Sequence, residues 1–318
     1  MTDPAPPPTR PPAVEPPLLE VRRRELLLLH QALQLPPPVA PLWDDFPVEV
    51  ERVTELSVND RLDGIGLMTR GLGQDFLRRL AARLRAFCGE AATAELELLR
   101  AVVSFIDKAS LFFKADTGPA GLTELSWYCT EGQAPVRIVS LLGELGVVRP
   151  ELAAVEALLA ELDAPTLFLG RSLRPQPAPS RFTLYVPLTD AREDRVRRRL
   201  GRALRRFVAD PAQRDLVHLH HLHLLPRAQS RVFVSLAFAG PGETFPGNRG
   251  LKLDYEGVLR SSLRRLLAGL AVPAARVAGL EGVLDLLHAE GPGYLGLRLG
   301  SGPPRCRLYV PRDPMLLW

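Results

Sequence analysis

The segment that decides the fold spans residues 122–142 and has the sequence L-T-E-L-S-W-Y-C-T-E-G-Q-A-P-V-R-I-V-S-L-L. Glycine and proline in E-G-Q-A-P are typical of a tight turn, so the pattern predicts two short strands joined there. Side chains alternate along a strand, which puts Glu124 and Ser126 on one face and Trp127 on the other. Arg137 is the only charged residue of the second predicted strand. An acid and a base on adjacent strands form either a cross-strand ion pair or part of a site, and this segment leaves both open.

The composition of the 318-residue chain is that of a globular protein, with 46% hydrophobic and 24% charged residues. No apolar run approaches the ~20 residues of a membrane-spanning helix, and the N-terminus lacks a signal-peptide pattern, so we expect a cytoplasmic protein with no membrane partner. The net charge of +4 is small for this length and argues weakly against nucleic acid as a partner. Cys88, Cys129 and Cys306 are scattered and odd in number, which indicates reduced thiols rather than disulfides or a metal site.

The patterns along the chain indicate one domain that follows a tail. Residues 1–17 are rich in proline and are predicted to be a disordered tail, and residues 18–318 are predicted to form a single barrel domain. Helical periodicity predicts a helix over 18–35, ending at a run of three prolines, and mostly helical structure over 67–114. The segment P-L-W-D-D-F (41–46) is predicted to be a compact turn that covers apolar surface.

Three further strand pairs follow the opening hairpin, with helices between them. The pairs are predicted at 166–172 with 181–187, at 216–225 with 230–238, and at 294–299 with 305–310, with one more strand at 251–255. Helices are predicted at 149–162, 190–207, 258–270 and 274–288. Strands joined by short loops pair antiparallel, and a closed barrel removes the exposed edges of such a sheet. The predicted fold class is therefore α+β, an antiparallel β-barrel of successive hairpins surrounded by helices.

Several predicted strands carry polar residues at every second position. In the last strand, Arg305, Arg307 and Tyr309 share one face and apolar residues occupy the other. One alternative is a half-exposed sheet with a solvated outer face. If helices cover the apolar face instead, the polar side chains point into the barrel lumen, where so many cations require an anion. Arginine binds phosphate oxygens through bidentate hydrogen bonds, and tyrosine rings can stabilise a carbocation.

These motifs resemble those of a known family. Hairpins with R-x-R/K-x-Y strands wrapped by helices are similar to the antiparallel barrel of aromatic prenyltransferases, the αββα or ABBA fold. The segment D-T-G-P-A-G-L-T-E-L-S-W (116–127) resembles the D-D-G-T-P-x-E-x-S-W segment of dimethylallyltryptophan synthases, and V-R-I-V (136–139) resembles their arginine-bearing strand. The segment L-H-Q-A-L-Q-L-P-P-P-V-A-P-L-W-D-D-F (29–46) resembles a segment of the cyanobactin-type peptide prenyltransferases. The resemblance covers most of residues 28–310.

The resemblance implies an enzyme of natural-product biosynthesis. It would transfer a dimethylallyl or geranyl group from an allylic diphosphate to an aromatic or other nucleophilic side chain of a cyclic peptide. The alternatives are prenylation of free L-tryptophan or a small indole, and a noncatalytic barrel that binds an anionic lipid or peptide or serves as a scaffold. Magnesium bridged through the diphosphate is the implied metal cofactor, with no organic cofactor. A monomer or weak dimer is expected.

The resemblance also implies roles for individual residues. Glu124 matches the family's acid, which hydrogen-bonds or deprotonates the acceptor; the alternative is a simple ion pair with Arg137. The expected diphosphate ligands are Arg137, Arg231, Lys252, Arg298, Arg305 and Arg307. The expected shields of the allylic cation are Tyr185, Tyr294 and Tyr309. The expected acceptor pocket contains Ser126, His218 and His220. Thr183 stands where these enzymes often have a diphosphate-binding lysine.

Two further stretches carry charge or metal-binding side chains. The run H-L-H-H-L-H, residues 218–223, would place two histidines on each face of a strand, which without a nearby carboxylate or cysteine is a weak zinc site. No protein metal ligand is therefore predicted. The basic stretch 192–206 is expected to be a solvated helix face, with an acidic leader or peptide as the alternative occupant.

Overall fold

The structure of the chain, a computed structural model, describes residues 18–35, 50–71, 73–106, 111–163, 165–174, 180–188, 193–225, 231–247 and 249–312. The predictions for the tail at 1–17 and for the turn at 41–46 lie outside the described residues. None of the helices in these stretches is both long enough and apolar enough to cross a membrane.

Ten strands form a closed antiparallel barrel. In chain order they are β1 (Val53–Asn59), β2 (Ile65–Gly71), β3 (Leu111–Gly118), β4 (Gly121–Gln133), β5 (Leu167–Leu173), β6 (Arg181–Leu188), β7 (Val232–Ala239), β8 (Leu251–Glu256), β9 (Tyr294–Leu299) and β10 (Arg305–Pro311). Strands adjacent in sequence are adjacent in the barrel, and β1 pairs with β10 to close it. Closure pairs both edges of each of these strands. The predicted fold class is confirmed.

Helices cover the outer face of the barrel. They are α1 (Leu18–Ala32), α2 (Gly73–Cys88), α3 (Ala92–Phe105), α4 (Pro135–Glu144), α5 (Arg149–Leu162), α6 (Glu193–Phe207), α7 (Pro211–Leu224), α8 (Arg260–Gly269) and α9 (Ala274–Leu286). The basic helix α6 buries Val196, Leu200 and Leu204, which follow one another at four-residue spacing. On the outer strand face Trp127 is fully buried and packs edge-on against Phe182. The apolar strand faces therefore lie under helices, and the polar faces point into the lumen.

The segment 122–142 is not a hairpin. Its first half belongs to the long strand β4, and its second half is helix α4. Pro135 stands at the start of α4, where the fixed φ and the missing N–H of proline are tolerated. Ile138, Leu141 and Leu142 follow at helical spacing and are buried. Burial of this apolar stripe decides in favour of the helix, and the hairpin partner of β4 is β3.

Two other predictions of secondary structure are wrong in part. The stretch 216–225, predicted as a strand, lies mostly in α7, which the Asp210 carboxylate caps by accepting a hydrogen bond from the Ala212 backbone N–H at 2.9 Å. The stretch 67–114, predicted as mostly helical, includes parts of β2 and β3 at its ends. Strands β1 and β2 form a fifth hairpin that no prediction included. The strand predicted at 251–255 is confirmed as β8, which pairs with β7 and β9.

Candidate functional site

The barrel lumen contains two connected compartments of different chemistry. The upper compartment is a cavity of about 550 Å³ whose wall carries the cationic side chains Arg174, Arg181, Arg249, Arg298, Arg305 and Arg307. The lower compartment is a cavity of about 130 Å³ with a largely aromatic wall that includes Phe112, Phe168, Phe233 and Tyr294. The boundary between them is formed by residues that line both, namely Lys114, Tyr128, Tyr185, Lys252 and Tyr309.

A buried ion-pair triad crosses the middle of the lumen. The Asp116 carboxylate accepts hydrogen bonds from Lys114 Nζ at 3.0 Å and from Arg307 Nη1 at 2.6 Å. Burial alone would raise the pKa of Asp116, but the two cations outweigh it and lower the pKa to about 2. Gly66 on β2 makes room for the triad, because a Cβ there would lie 2.4 Å from Asp116 Oδ1 and 2.8 Å from Lys114 Cε. The triad carries one net positive charge toward the lumen.

A second lysine, Lys252 on β8, lies at the boundary and contacts side chains of β8 and β10. Lys252 Nζ donates to the Tyr309 hydroxyl at 2.8 Å and lies 2.7 Å from Asp254 Oδ1. The ammonium groups of Lys114 and Lys252 lie 5.6 Å and 4.9 Å from the centroid of the Tyr309 ring. Burial would lower the pKa of Lys252, but Asp254 and Tyr309 raise it above its usual value, so the side chain is a cation.

Three arginines and one carboxylate form a cluster in the upper compartment, where two of the arginines bind the carboxylate. Glu124 Oε2 accepts from Arg174 Nε at 2.9 Å and from Arg181 Nη2 at 3.2 Å. None of the described side chains forms a hydrogen bond or ion pair with Arg298, whose pKa is lowered by partial burial and by its neighbours Arg181 and Arg174. The cluster has an excess of two positive charges. Such an excess in a partly desolvated cavity favours a bound anion.

The lower compartment contains a carboxyl group that the sequence analysis missed. Glu55 on β1 is 8% exposed, lines this compartment, and forms no side-chain hydrogen bond or ion pair with the described residues. Burial raises the pKa of Glu55 to about 7, against the opposing effect of Lys114 and Lys252. The group can therefore exchange a proton near neutral pH.

A repeated tetrapeptide is the sequence signal that could have identified Glu55. The motif T-E-L-S occurs at residues 54–57 as well as at 123–126. Both copies lie on barrel strands, β1 and β4, with the glutamate and serine on the lumen face. No strand is predicted for the first copy, because β1 is short and precedes the stretch 67–114, whose pattern favours helices.

The structure places most of the predicted site residues on the lumen face. Glu124, Ser126, Tyr185, Lys252, Tyr294, Arg298, Arg305, Arg307 and Tyr309 all belong to this face. Ser126 Oγ lies 2.9 Å from Ser172 Oγ. Arg305 lines the upper compartment but is paired with Asp60, with Nη2 and Oδ1 2.7 Å apart. The roles assigned to these residues stay predictions.

Other predicted site residues lie outside the lumen or at its far end. Arg137 is exposed on α4 and donates to the Phe105 carbonyl at 3.3 Å, so its predicted place on a lumen-facing strand is wrong. His218 and His220 lie on α7 in the helical layer and not in a lumen pocket, because the capped helix replaces the predicted strand. Arg231 lies at the end of the barrel opposite the upper compartment, where it pairs with Glu256.

The described residues contain no group of three or more His, Cys, Asp or Glu side chains arranged to hold a metal ion. The lumen carboxylates nearest the cationic cluster, Asp116 and Glu124, are already paired with cations. The protein side chains therefore do not fit a magnesium site of their own, and we derive no step from a metal.

Comparison with known proteins identifies the fold. No protein-family model matches the chain, and no curated protein matches its sequence. A solved structure of the prenyltransferase PriB in its apo form aligns with a TM-score of 0.65 at 17% identity, covering 93% of this chain and 96% of that one. A 6-dimethylallyl tryptophan synthase aligns at 0.64 and 16% identity, covering 91% and 95%. NotF in complex with brevianamide F and DMSPP aligns at 0.64 and 12% identity, covering 94% and 96%. The barrel is thus the ABBA barrel of prenyltransferases.

Proposed function

We propose that the protein transfers a prenyl group from an allylic diphosphate to an aromatic acceptor. The observation that carries the proposal is the division of one lumen into a cationic upper compartment and an aromatic lower compartment with a carboxyl group, Glu55, that pairs with none of the described side chains. A prenyl transfer needs these parts next to each other: a site for the departing anion, a dry aromatic space for the cation, and a proton acceptor. The fold shared with solved prenyltransferases supports this assignment.

In this proposal the diphosphate binds in the upper compartment. Arg298 has no carboxylate partner among the described residues, and Lys252 and Arg307 point toward the same space from adjacent strands. The bond between the allylic carbon and the diphosphate oxygen breaks, and both bonding electrons leave with the diphosphate. Cations already fixed in a low-dielectric lumen stabilise the charge that develops on this leaving group.

The allylic cation forms at the boundary between the compartments. Tyr128 and Tyr185 pack edge to face there, with ring centroids 5.7 Å apart, and Tyr309 lies across the lumen. Gly170 permits this packing, because a Cβ at that position would lie 2.6 Å from the Tyr128 ring. Electron-rich ring faces stabilise the cation and exclude water that would otherwise capture it.

The acceptor ring occupies the lower compartment, and Glu55 receives its proton. The acceptor's electron pair forms the new bond to the allylic carbon, and the acceptor N–H, O–H or ring C–H proton then passes to the carboxylate. Glu124, predicted for this role, is held by Arg174 and Arg181, and although burial would raise its pKa, these arginines lower it below its usual value. A base with a pKa near neutral is the better proton acceptor, so we assign the role to Glu55 and the ordering of two arginines to Glu124.

The acceptor is proposed to be an aromatic side chain carried by a peptide, since the upper compartment leaves room beside a diphosphate for the rest of a larger molecule. Free tryptophan or a small indole is the second candidate, because one of the solved structures with this fold is a tryptophan prenyltransferase. Which of the two is used is an outcome of the experiment.

The test is an incubation of the protein with dimethylallyl or geranyl diphosphate and tryptophan, tyrosine or a panel of cyclic peptides, followed by mass spectrometry. We expect one prenylated acceptor class, and at least ~100-fold slower product formation by a Glu55→Gln variant that still binds diphosphate. A protein that binds the diphosphates but prenylates none of the acceptors would instead be the noncatalytic barrel.

A further inference from the structure

An ion pair joins two strands at the lower end of the barrel. Arg231 precedes β7 and Glu256 ends β8, and the guanidinium donates to both carboxylate oxygens, Nε to Oε2 at 2.8 Å and Nη2 to Oε1 at 3.0 Å. The backbone N–H of Glu256 also donates to the Arg231 carbonyl at 3.0 Å. Burial would raise the pKa of Glu256, but the bonds from Arg231 lower it, so the carboxylate is ionised. The pair is therefore a bidentate bridge between two neighbouring strands.

The bridge lies directly beneath the aromatic floor of the lower compartment. The Arg231 guanidinium is 5.8 Å from the centroid of the Phe233 ring, and the Tyr294 hydroxyl donates to Glu256 Oε1 at 3.3 Å. Phe233 in turn packs against Tyr294 at 6.1 Å and against Phe168 at 6.2 Å between centroids. The three rings form the floor, and the ion pair holds two of them from below.

The side chains on the two sides of this floor differ in solvent exposure. On its lumen side lies Glu55, which is 8% exposed. Below it, the side chains of Arg231 and Glu256 are 26% and 20% exposed, so they are in contact with solvent. The rings of Phe168, Phe233 and Tyr294 and the Arg231–Glu256 pair thus lie on the side of the lower compartment where these exposed side chains meet solvent.

We infer that the Arg231–Glu256 pair is a seal that keeps water out of the prenyl-transfer site from the lower end of the barrel. The inference rests on the proposed function. An allylic cation that meets water instead of the acceptor forms a carbon–oxygen bond, loses a proton to solvent and leaves as a prenyl alcohol. Arg231 and Glu256 contact no substrate and are positioning residues, which act through Phe233 and Tyr294.

The test compares two double variants by the ratio of prenyl alcohol to prenylated acceptor. Arg231→Ala with Glu256→Ala opens the floor, and we expect the ratio to rise about tenfold because water reaches the cation. Arg231→Met with Glu256→Met fills the same space with unbranched apolar side chains, and we expect a ratio close to that of the unmodified protein. Arg149→Ala with Glu156→Ala removes an exposed ion pair on α5, with Nη1 and Oε1 2.9 Å apart, and serves as the matched control.

The outcomes separate the seal from the proposed function. An unchanged ratio in a folded, active Ala/Ala variant would overturn the seal alone. An equal rise in the Met/Met variant would support a seal that depends on the ion pair itself and not on the volume of the two side chains. An unmodified protein that prenylates no acceptor would overturn the proposed function and the seal with it. Should the Ala/Ala variant fail to fold, Phe233→Leu thins the floor without breaking the ion pair and is expected to raise the ratio by the same mechanism.

Discussion

The two T-E-L-S segments, residues 54–57 and 123–126, have the same sequence and different environments. Both glutamates project into the same lumen from barrel strands. Glu124 lies in the cationic upper compartment and is bound by Arg174 and Arg181. Glu55 lies in the aromatic lower compartment and has no side-chain hydrogen bond or ion pair with the described residues. One tetrapeptide therefore provides an ion-pair partner at one depth and an unpaired acid at another.

The difference shows that the neighbouring strands, and not the local motif, set the chemistry of each carboxyl group. For both residues burial raises the pKa. At Glu124 the nearby arginines outweigh burial, whereas at Glu55 burial dominates and the pKa rises to about 7. A general base is most effective when its pKa lies near the working pH, which favours Glu55.

The largest expected effect comes from removing the proton acceptor. Glu55→Gln should lower kcat/KM for prenyl transfer by at least ~100-fold, since a general base contributes roughly 10²–10⁴-fold. Affinity for the diphosphate, measured by calorimetry with an unreactive analogue, should be unchanged. If Glu124→Gln lowers turnover more than Glu55→Gln does, Glu124 is the proton acceptor and the assignment of that role to Glu55 is wrong.

The pH dependence of kcat/KM also distinguishes Glu55 from Glu124 as the proton acceptor. Glu55 accepts a proton only when ionised, so kcat/KM should fall roughly tenfold for each pH unit below about 7. The charged groups that act on Glu55 are Lys114, Lys252, Asp254 and Arg307. A rate profile that stays flat from pH 8 to about pH 5.5 would indicate a base whose pKa is not raised, such as Glu124, whose arginine neighbours lower its pKa.

The cationic compartment is tested by removing Arg298, the arginine for which the described part of the chain provides no carboxylate partner. Arg298→Ala should weaken binding of the diphosphate by about tenfold, because one charge-assisted hydrogen bond is lost and no described carboxylate is left without a partner. The matched control is Arg137→Ala, which removes an exposed arginine on α4 outside the barrel. Equal affinity in both variants would exclude Arg298 from the diphosphate site.

The smallest effect is expected from the second glutamate. Glu124→Gln removes the charge that orders Arg174 and Arg181 but keeps a hydrogen-bond acceptor. We expect KM for the diphosphate to change by about threefold, with kcat nearly unchanged. A loss of kcat with an unchanged KM would mean that Glu124 acts on the reacting atoms.

Elements with a regular pattern and a clear turn could be predicted from the sequence. The hairpins β5–β6 and β9–β10 alternate polar and apolar residues, and this alternation survives because one face meets helices and the other meets the lumen. The helices α5, α6, α8 and α9 were also predicted, since each has an apolar stripe of helical period. An antiparallel barrel covered by helices follows from these parts together.

Elements whose local pattern was ambiguous could not be predicted. The run V-R-I-V is rich in β-branched residues, yet it lies in α4 because the helix buries Ile138, Leu141 and Leu142. The histidine run is predicted as part of a strand, yet it lies in α7, whose N-terminus is capped by Asp210. In both places tertiary burial and capping override the short-range signal.

The sequence by itself determined that polar and apolar side chains alternate along the strands and that helices separate them, which is sufficient for a helix-covered barrel. It did not distinguish the two T-E-L-S segments, because a motif of four residues does not contain its electrostatic partners. Arg174 and Arg181 are about fifty residues from Glu124, and the aromatic residues around Glu55 come from several strands of the barrel. Only closure of the barrel placed one glutamate among cations and the other among aromatic rings, and these surroundings set the pKa of each carboxyl group.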